Sequence, residues 1–172
     1  AKEVLISSGS IERPLVFGNN DTPGVMLSSA AKEYLKVYGV LVGKKPLIFT
    51  NNDSGYETAI EFKKNGVEPI ILDTRKEPKS EIIDEAKKLN IQIKFSYVVV
   101  AAKGYKKVKS AEVAKISDDK NELGTLENIN CDCICVSGFW TPTIHLASQS
   151  GNKTTFNKDI DAFVPGLSKQ NE

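Results

Sequence analysis

The 172-residue chain lacks the features that define several common classes of protein. It has no apolar run near the ~20 residues of a membrane span, so we expect no contact with a membrane. Its 23 Lys and Arg residues balance 22 Asp and Glu residues, and a net charge of +1 gives no bulk attraction to nucleic acid. It starts at Ala1 with neither an initiator methionine nor the apolar core of a signal peptide. We therefore expect a segment of a longer, cytoplasmic protein.

Side chains for acid–base, nucleophilic or metal chemistry are also scarce. No acid or nucleophile is placed beside the single histidine, His145, so a structural role is favoured over a catalytic one. The three cysteines, Cys131, Cys133 and Cys135, alternate as on one face of a strand and lack a fourth ligand at zinc spacing. Buried thiols in a reducing compartment explain them better than a metal site. We therefore assign no catalytic residue and no metal ligand.

The segment 46–59 has the strand–turn–helix pattern of a dinucleotide-binding loop but few of its glycines. In the Gly-x-Gly-x-x-Gly frame, Thr50 and Asn52 replace the first two glycines, and only Gly55 remains to allow close helix–strand packing. Such glycines let backbone N–H groups approach a pyrophosphate, so side chains at these positions oppose binding. Ser54 and Glu57 have the spacing of a capping box at the start of the helix. The candidate cofactor-binding residues of this loop are Thr50, Asn51, Asn52, Asp53, Ser54 and Gly55.

An acid at the end of the next predicted strand, 68–73, has the position of a ribose ligand. In dinucleotide-binding units such an acid lies about 20 residues beyond the glycines and accepts hydrogen bonds from the adenosine ribose. Asp73 fits that spacing, and Arg75 is close enough to favour a 2′-phosphate instead. An aspartate that only opens a loop at a strand end has the same pattern, so both interpretations stay open.

Apolar periodicity predicts the other elements. We expect further strands at 4–6 and in the cysteine segment, helices at 26–38, 82–89 and 144–147, and a hairpin joining 95–101 to 107–116. The order of these elements predicts an α/β, Rossmann-like fold, in which a parallel sheet is flanked by helices and followed by an antiparallel β-meander. We place the edge of a host dinucleotide-binding domain with a connecting helix at 1–42. An inserted second dinucleotide-binding domain follows at 43–129, and the chain returns to the host domain at 130–172.

Several blocks of sequence resemble a known family. The segment 7–14 resembles the Ala-Thr-Gly…Arg-Pro segment of FAD/NAD(P)-binding, disulfide-reductase-like flavoproteins. Within that superfamily the chain resembles the alpha subunits of heterotetrameric sarcosine oxidases. The blocks that carry this second resemblance are 12–27, Thr-Asn-Asn-Asp-Ser at 50–54, and 136–146 with 163–166.

The resemblance implies a large enzyme that oxidatively demethylates sarcosine with O2, giving glycine, hydrogen peroxide and formaldehyde or a folate one-carbon adduct. It implies FAD and FMN in the parent complex, NAD in the host domain, and the other subunits of a heterotetrameric oxidase as partners. It also places Ser8, Gly9 and Gly138 where the chain crosses between domains near a bound dinucleotide. A tight bend between domains explains the two glycines better than contact with a cofactor, but both explanations stay open. Ser8, Gly9 and Gly138 are therefore kept as candidate cofactor-binding residues.

Two interpretations of the inserted domain follow. It either binds NAD(P), weakly at most, or is a ligand-free scaffold within a multi-subunit flavoenzyme. In both cases we expect the isolated chain to be catalytically inactive. Apolar strands at 4–6 and in the cysteine segment would lose their neighbours in such a segment, which predicts dimerisation through exposed strand edges.

Overall fold

The computed structural model describes residues 4–117, 122–151 and 153–166. The chain divides into two compact units, Pro14–Gly138 and a smaller one composed of Ala1–Arg13 and Phe139–Glu172. The strands are β1 (Ser10–Glu12), β2 (Val25–Leu27), β3 (Pro46–Thr50), β4 (Ile70–Asp73), β5 (Gln92–Phe95), β6 (Tyr97–Lys103), β7 (Ser110–Lys115), β8 (Glu127–Asn130), β9 (Cys133–Ser137), β10 (Trp140–Pro142), β11 (Thr154–Asn157) and β12 (Ala162–Pro165). The helices are α1 (Ser28–Tyr38), α2 (Ser54–Lys64), α3 (Glu81–Lys88) and α4 (His145–Gln149).

A five-stranded sheet forms the centre of the larger unit. Its strand order is β2-β9-β3-β4-β5, and every neighbouring pair is parallel. Every residue of β3 and β9 is buried, as expected for strands covered on both faces. The chain runs from β3 outward to β4 and β5, and β9 lies on the other side of β3. The strand order therefore reverses between β3 and β9, the point at which open α/β sheets bind ligands.

Two apolar layers cover this sheet. Helices α1, α2 and α3 pack on one face, where Ile48 and Ile71 of the sheet meet residues such as Ala31, Phe62 and Ile83. The antiparallel sheet β6-β7-β8 packs on the other face, against Leu47, Phe49, Leu72, Ile134 and Val136. This confirms the predicted α/β, Rossmann-like fold with its β-meander. The structure adds that the helices of this unit share one face and that the meander supplies the second layer.

The predicted hairpin and the helices in all three expected regions form, but several boundaries differ. Helix α1 begins at Ser28, because Met26 and Leu27 pair with β9 in the parallel sheet. Among the described residues, 4–9 form no strand, and Val4 and Leu5 are exposed. Strand β9 is not an edge, because it lies between β2 and β3. The strand edges on which the predicted dimerisation depended are therefore not present at either place.

The cysteines also lie differently from the prediction of a single strand face. The Asp132 carboxylate accepts hydrogen bonds from the backbone N–H groups of Lys44 and Lys45, both at 2.8 Å, and β9 begins only after this turn. Cys133 and Cys135 therefore face the helical layer, whereas Cys131 packs on the meander side. All three cysteines are buried, and none of them forms a disulfide.

The boundaries of the compact units lie at 13/14 and 138/139, whereas the sequence placed domain boundaries at 42/43 and 129/130. The difference arises because β2, α1 and β9 complete the sheet that contains β3. The assignment of host and inserted domains stays a prediction. Within the described residues, none of the helices combines the length and apolar character needed to cross a membrane.

Candidate dinucleotide-binding site

The loop between β3 and α2 lies at the carboxyl end of the central parallel strand, where a dinucleotide-binding loop belongs. Helix α2 is the crossover from β3 to its parallel neighbour β4. The backbone N–H of Asn51 donates to the carbonyl of Ser137 at 3.3 Å, which attaches the loop to β9. On the other side, the N–H of Thr74 donates to the Thr50 carbonyl at 3.0 Å. The loop therefore sits at the switch point and is bonded to both neighbouring strand ends.

Thr50 replaces the first glycine of the frame and turns its side chain inward. It is completely buried, and its hydroxyl donates to the Asn52 carbonyl at 2.8 Å and accepts from the Asn52 N–H at 3.1 Å. A Cβ atom added to Gly55 would lie 2.7 Å from the Thr50 Cβ. This confirms the predicted close packing of helix and strand at Gly55. The threonine side chain, together with the helix backbone, now fills the space that a glycine would leave.

Asn52 replaces the second glycine, and its amide spans the crevice between β3 and β9. The amide nitrogen donates to the carbonyl of Gly138 at 2.7 Å and to that of Ser137 at 3.2 Å. The amide oxygen accepts the N–H of Ser54 at 2.8 Å, in the first turn of α2. The side chain thus uses both its donor and its acceptor on protein groups.

The predicted capping box is wrong. The N-cap of α2 is Asp53, which makes no side-chain capping bond, and Asn52 satisfies the first-turn N–H group instead. Glu57 pairs with Lys32 of α1 rather than turning back to the start of its own helix. The bond from Ser54 to the Asn52 oxygen is local, whereas the amide nitrogen of Asn52 is held by the carbonyls of Ser137 and Gly138 at the end of β9.

Asp73 ends β4 and is completely buried. One of its carboxylate oxygens accepts the Tyr56 hydroxyl at 2.7 Å and the Arg75 Nη2 at 2.9 Å. The other accepts the backbone N–H of Arg75 at 2.9 Å and its Nε at 3.1 Å. Both oxygens therefore already have at least two donors, and neither is open to a ribose hydroxyl from solvent.

Arg75 also contacts the loop between β3 and α2. Its Nη1 lies 2.8 Å from Oδ1 of Asp53, while Nη2 binds Asp73. One guanidinium group thus bridges the loop after β3 and the end of β4. Two carboxylates and one guanidinium leave this cluster with a formal charge of −1, which opposes the approach of a pyrophosphate.

Two members of this cluster, Tyr56 and Arg75, have raised pKa values, which favour the protonated form that each needs as a donor. Burial raises the pKa of the Tyr56 hydroxyl, and the hydrogen bond and charge of Asp73 raise it further. Tyr56 therefore stays protonated and donates. Burial alone would lower the pKa of Arg75, but its bonds to Asp73 and Asp53 outweigh burial and raise it. Sequence reasoning missed Tyr56, although a buried tyrosine needs a hydroxyl partner and the acid at the end of β4 was the available one.

The predicted site residues are divided between the two compact units. The loop residues, Asp73 and Gly138 meet in the larger unit, with Asn52 joining Gly138 to the loop. Ser8 and Gly9 belong to the smaller unit. There the Ser8 hydroxyl donates to the Thr143 carbonyl at 2.6 Å, and the Gly9 carbonyl accepts the Thr143 N–H at 2.9 Å. Gly9 has φ +66°, so its backbone takes the conformation of a tight bend.

Among the described residues, no three His, Cys, Asp or Glu side chains cluster as metal ligands.

This architecture is a thioredoxin-reductase-like FAD/NAD(P)-binding fold. It is similar to thioredoxin reductase from T. acidophilum, with a TM-score of 0.67 and 18% identity over 86% of this chain and 47% of that one. It is also similar to L-proline dehydrogenase from P. horikoshii, with a TM-score of 0.58 and 21% identity over 94% of this chain and 26% of that one. At these identities the likeness establishes the fold alone.

Sequence comparison finds relatives at higher identity. The chain is 37% identical to sarcosine oxidase subunit alpha of Rhizobium meliloti (strain 1021) over 177 residues, which cover 98% of the chain and 16% of that subunit. It is 33% identical to the same subunit of Corynebacterium sp. (strain P-1), over 100% of the chain and 18% of that protein. The chain is thus homologous over its length to a segment of sarcosine oxidase subunit alpha, which confirms the resemblance seen in the sequence. It spans less than a fifth of the length of these relatives. No protein-family model matches the chain.

Proposed function

We propose that this chain is a dinucleotide-fold portion of an oxidoreductase subunit that oxidises the CH–NH bond of sarcosine. The parent enzyme would use O2 and yield glycine, hydrogen peroxide and formaldehyde or a folate one-carbon adduct. The observation that carries the proposal is the 31–37% identity to sarcosine oxidase alpha subunits over at least 98% of the chain. A thioredoxin-reductase-like fold agrees with it, because this fold is one that holds electron-transfer cofactors.

The cofactors proposed for the parent complex are FAD, FMN and NAD, with NAD held by the host domain. The loop of the larger unit does not fit the pyrophosphate of a dinucleotide, because the Thr50 side chain fills the space against Gly55 and the Asn52 amide occupies the crevice between β3 and β9. The ribose position does not fit either, since Asp73 is buried and fully hydrogen-bonded. No step of catalysis is assigned to these residues, and we expect the isolated chain to be inactive.

The proposed partners are the other subunits of a heterotetrameric oxidase in the cytoplasm. The proposal rests on the names of the relatives, each of which is a subunit rather than a complete enzyme.

Sarcosine-dependent oxygen uptake tests the proposal. The complete subunit that contains this chain is co-expressed with its partner subunits, and oxygen consumption and hydrogen peroxide are measured with sarcosine. Glycine, which lacks the N-methyl group, is the matched control substrate. We expect oxygen uptake and peroxide with sarcosine and none with glycine. A flavin-loaded complex that consumes no oxygen with sarcosine would contradict the proposal.

A further inference from the structure

Two protein groups lie at the positions where a bound dinucleotide would be held in this fold. The first is the amide of Asn52 at the switch point. In dinucleotide-binding loops the pyrophosphate meets the N-terminus of the crossover helix at this point. Here the side-chain oxygen of Asn52 accepts a hydrogen bond from the N–H of Ser54, in the first turn of α2. Its side-chain nitrogen donates a hydrogen bond to the carbonyl of Gly138, across the crevice.

The second group is the guanidinium of Arg75 at the ribose position. An acid at the end of the second strand normally accepts the adenosine ribose hydroxyls. Asp73 occupies that position, but its carboxylate accepts hydrogen bonds from Arg75 and Tyr56 instead. Asp53, in the loop, completes the bridge from the other side.

The exposure of the groups fits a closed arrangement. Asp73 has no exposed side-chain area, and only 29% of the Arg75 side chain is exposed. Charge-assisted hydrogen bonds to a buried carboxylate are strong, whereas exposed ion pairs contribute little to stability. An incoming phosphate must therefore displace Asp53 from Arg75 and the Asn52 amide from two backbone partners.

We propose that this chain occupies its own dinucleotide cradle, with the Asn52 amide in place of the pyrophosphate and the Arg75 guanidinium in place of the ribose. The contacts of Asn52 with Gly138 and of Arg75 with Asp53 and Asp73 instead connect the carboxyl ends of β3, β4 and β9, and we call this set of contacts the clasp. Its role does not depend on whether the parent enzyme oxidises sarcosine, because it excludes a ligand rather than reacting with one.

Opening the clasp tests the inference. The 172-residue chain is titrated with NADH and with NADPH by calorimetry, as wild type and as the double variant Asn52→Gly/Asp53→Asn. The variant restores the second glycine of the frame and frees one edge of Arg75, which can then meet a 2′-phosphate. The matched control is Asn65→Gly, the same substitution at the opposite end of α2, where Asn65 bonds only within its own helix turn.

We expect no saturation of the wild type or the control by either dinucleotide at millimolar concentration. The opened variant should bind NADPH at least about ten-fold more tightly than the wild type, and more tightly than it binds NADH. Micromolar binding of either dinucleotide by the wild type would overturn the inference. So would a folded double variant that binds no better than the wild type. If the double variant does not fold, Asn52→Gly alone is titrated with NADH, because it vacates the pyrophosphate position and leaves Arg75 paired with Asp53 and Asp73. It should bind NADH more tightly than the wild type, and a folded Asn52→Gly variant that does not would overturn the inference.

Discussion

Replacement of Gly55 by alanine tests how tightly the loop is packed. In an exposed helix this substitution stabilises by about 1 kcal/mol, because glycine is the poorer helix former. Here the new methyl group would lie 2.7 Å from the Cβ and 2.8 Å from the Oγ1 of Thr50, a side chain with no exposed area. Overpacking of such a site costs about 1–3 kcal/mol. Since the overlap involves a Cβ that cannot rotate away, we expect a net loss of about 1–2 kcal/mol in the free energy of unfolding.

The assay is urea unfolding followed by circular dichroism, in the wild-type and the Thr50→Gly background. Removal of the threonine side chain removes the overlap, so Gly55→Ala should then be neutral or stabilising. The two backgrounds should differ by about 2 kcal/mol in the effect of Gly55→Ala. Gly66→Ala is the control, because Gly66 has φ +78° and no atom within 4 Å of an added Cβ. Its cost should be the same in both backgrounds. A neutral or stabilising effect of Gly55→Ala in the wild-type background would refute the reasoning.

Two further predictions concern buried polar groups. Tyr56→Phe removes a hydroxyl donor from the buried Asp73 carboxylate and should lower the free energy of unfolding by about 1.5–3 kcal/mol. The control is Tyr97→Phe, which removes a hydroxyl bonded to an exposed partner and should change the free energy of unfolding by less than about 0.5 kcal/mol. Equal effects in urea unfolding would contradict the assigned role of Tyr56. Burial raises the pKa of the Cys131 thiol from 9.0 to about 12, so the folded state favours the protonated thiol. That contribution is complete below about pH 9 and is lost as the pH rises toward about 12, with a slope of at most about 1.4 kcal/mol per pH unit. Cys131→Ala should lack this slope; an unchanged pH profile of stability would contradict the shift.

The fold could be predicted because its signals are local. The apolar run of β3, the helix that follows it and the period-two hairpin each carry their pattern within a short segment. The single retained glycine, Gly55, marked the close approach of helix and strand, and the structure shows that approach. The apolar run at 4–6 carried the same kind of signal, but the strand it suggested does not form among the described residues.

The closed state of the site could not be predicted, because it depends on side chains from three strand ends. The sequence placed Asp73 and Arg75 near each other but gave no sign that Arg75 would also reach Asp53. It likewise gave no sign that the Asn52 amide would find the carbonyl of Gly138, since that contact joins residues 86 positions apart. Cys131 shows the same limit, because a turn held by the Asp132 carboxylate separates it from the strand that its alternation suggested.

The most direct test of the occupied cradle is a nuclear magnetic resonance titration of the ¹⁵N-labelled chain with NAD⁺. The signals to follow are the side-chain amide of Asn52 and the backbone amides of Asp53 and Gly55, which line the position of the pyrophosphate. We predict that none of these signals moves at millimolar NAD⁺, while the Asn52 side-chain amide protons exchange slowly with solvent. Saturable shifts confined to these three residues would show that a dinucleotide enters the cradle and would contradict the account.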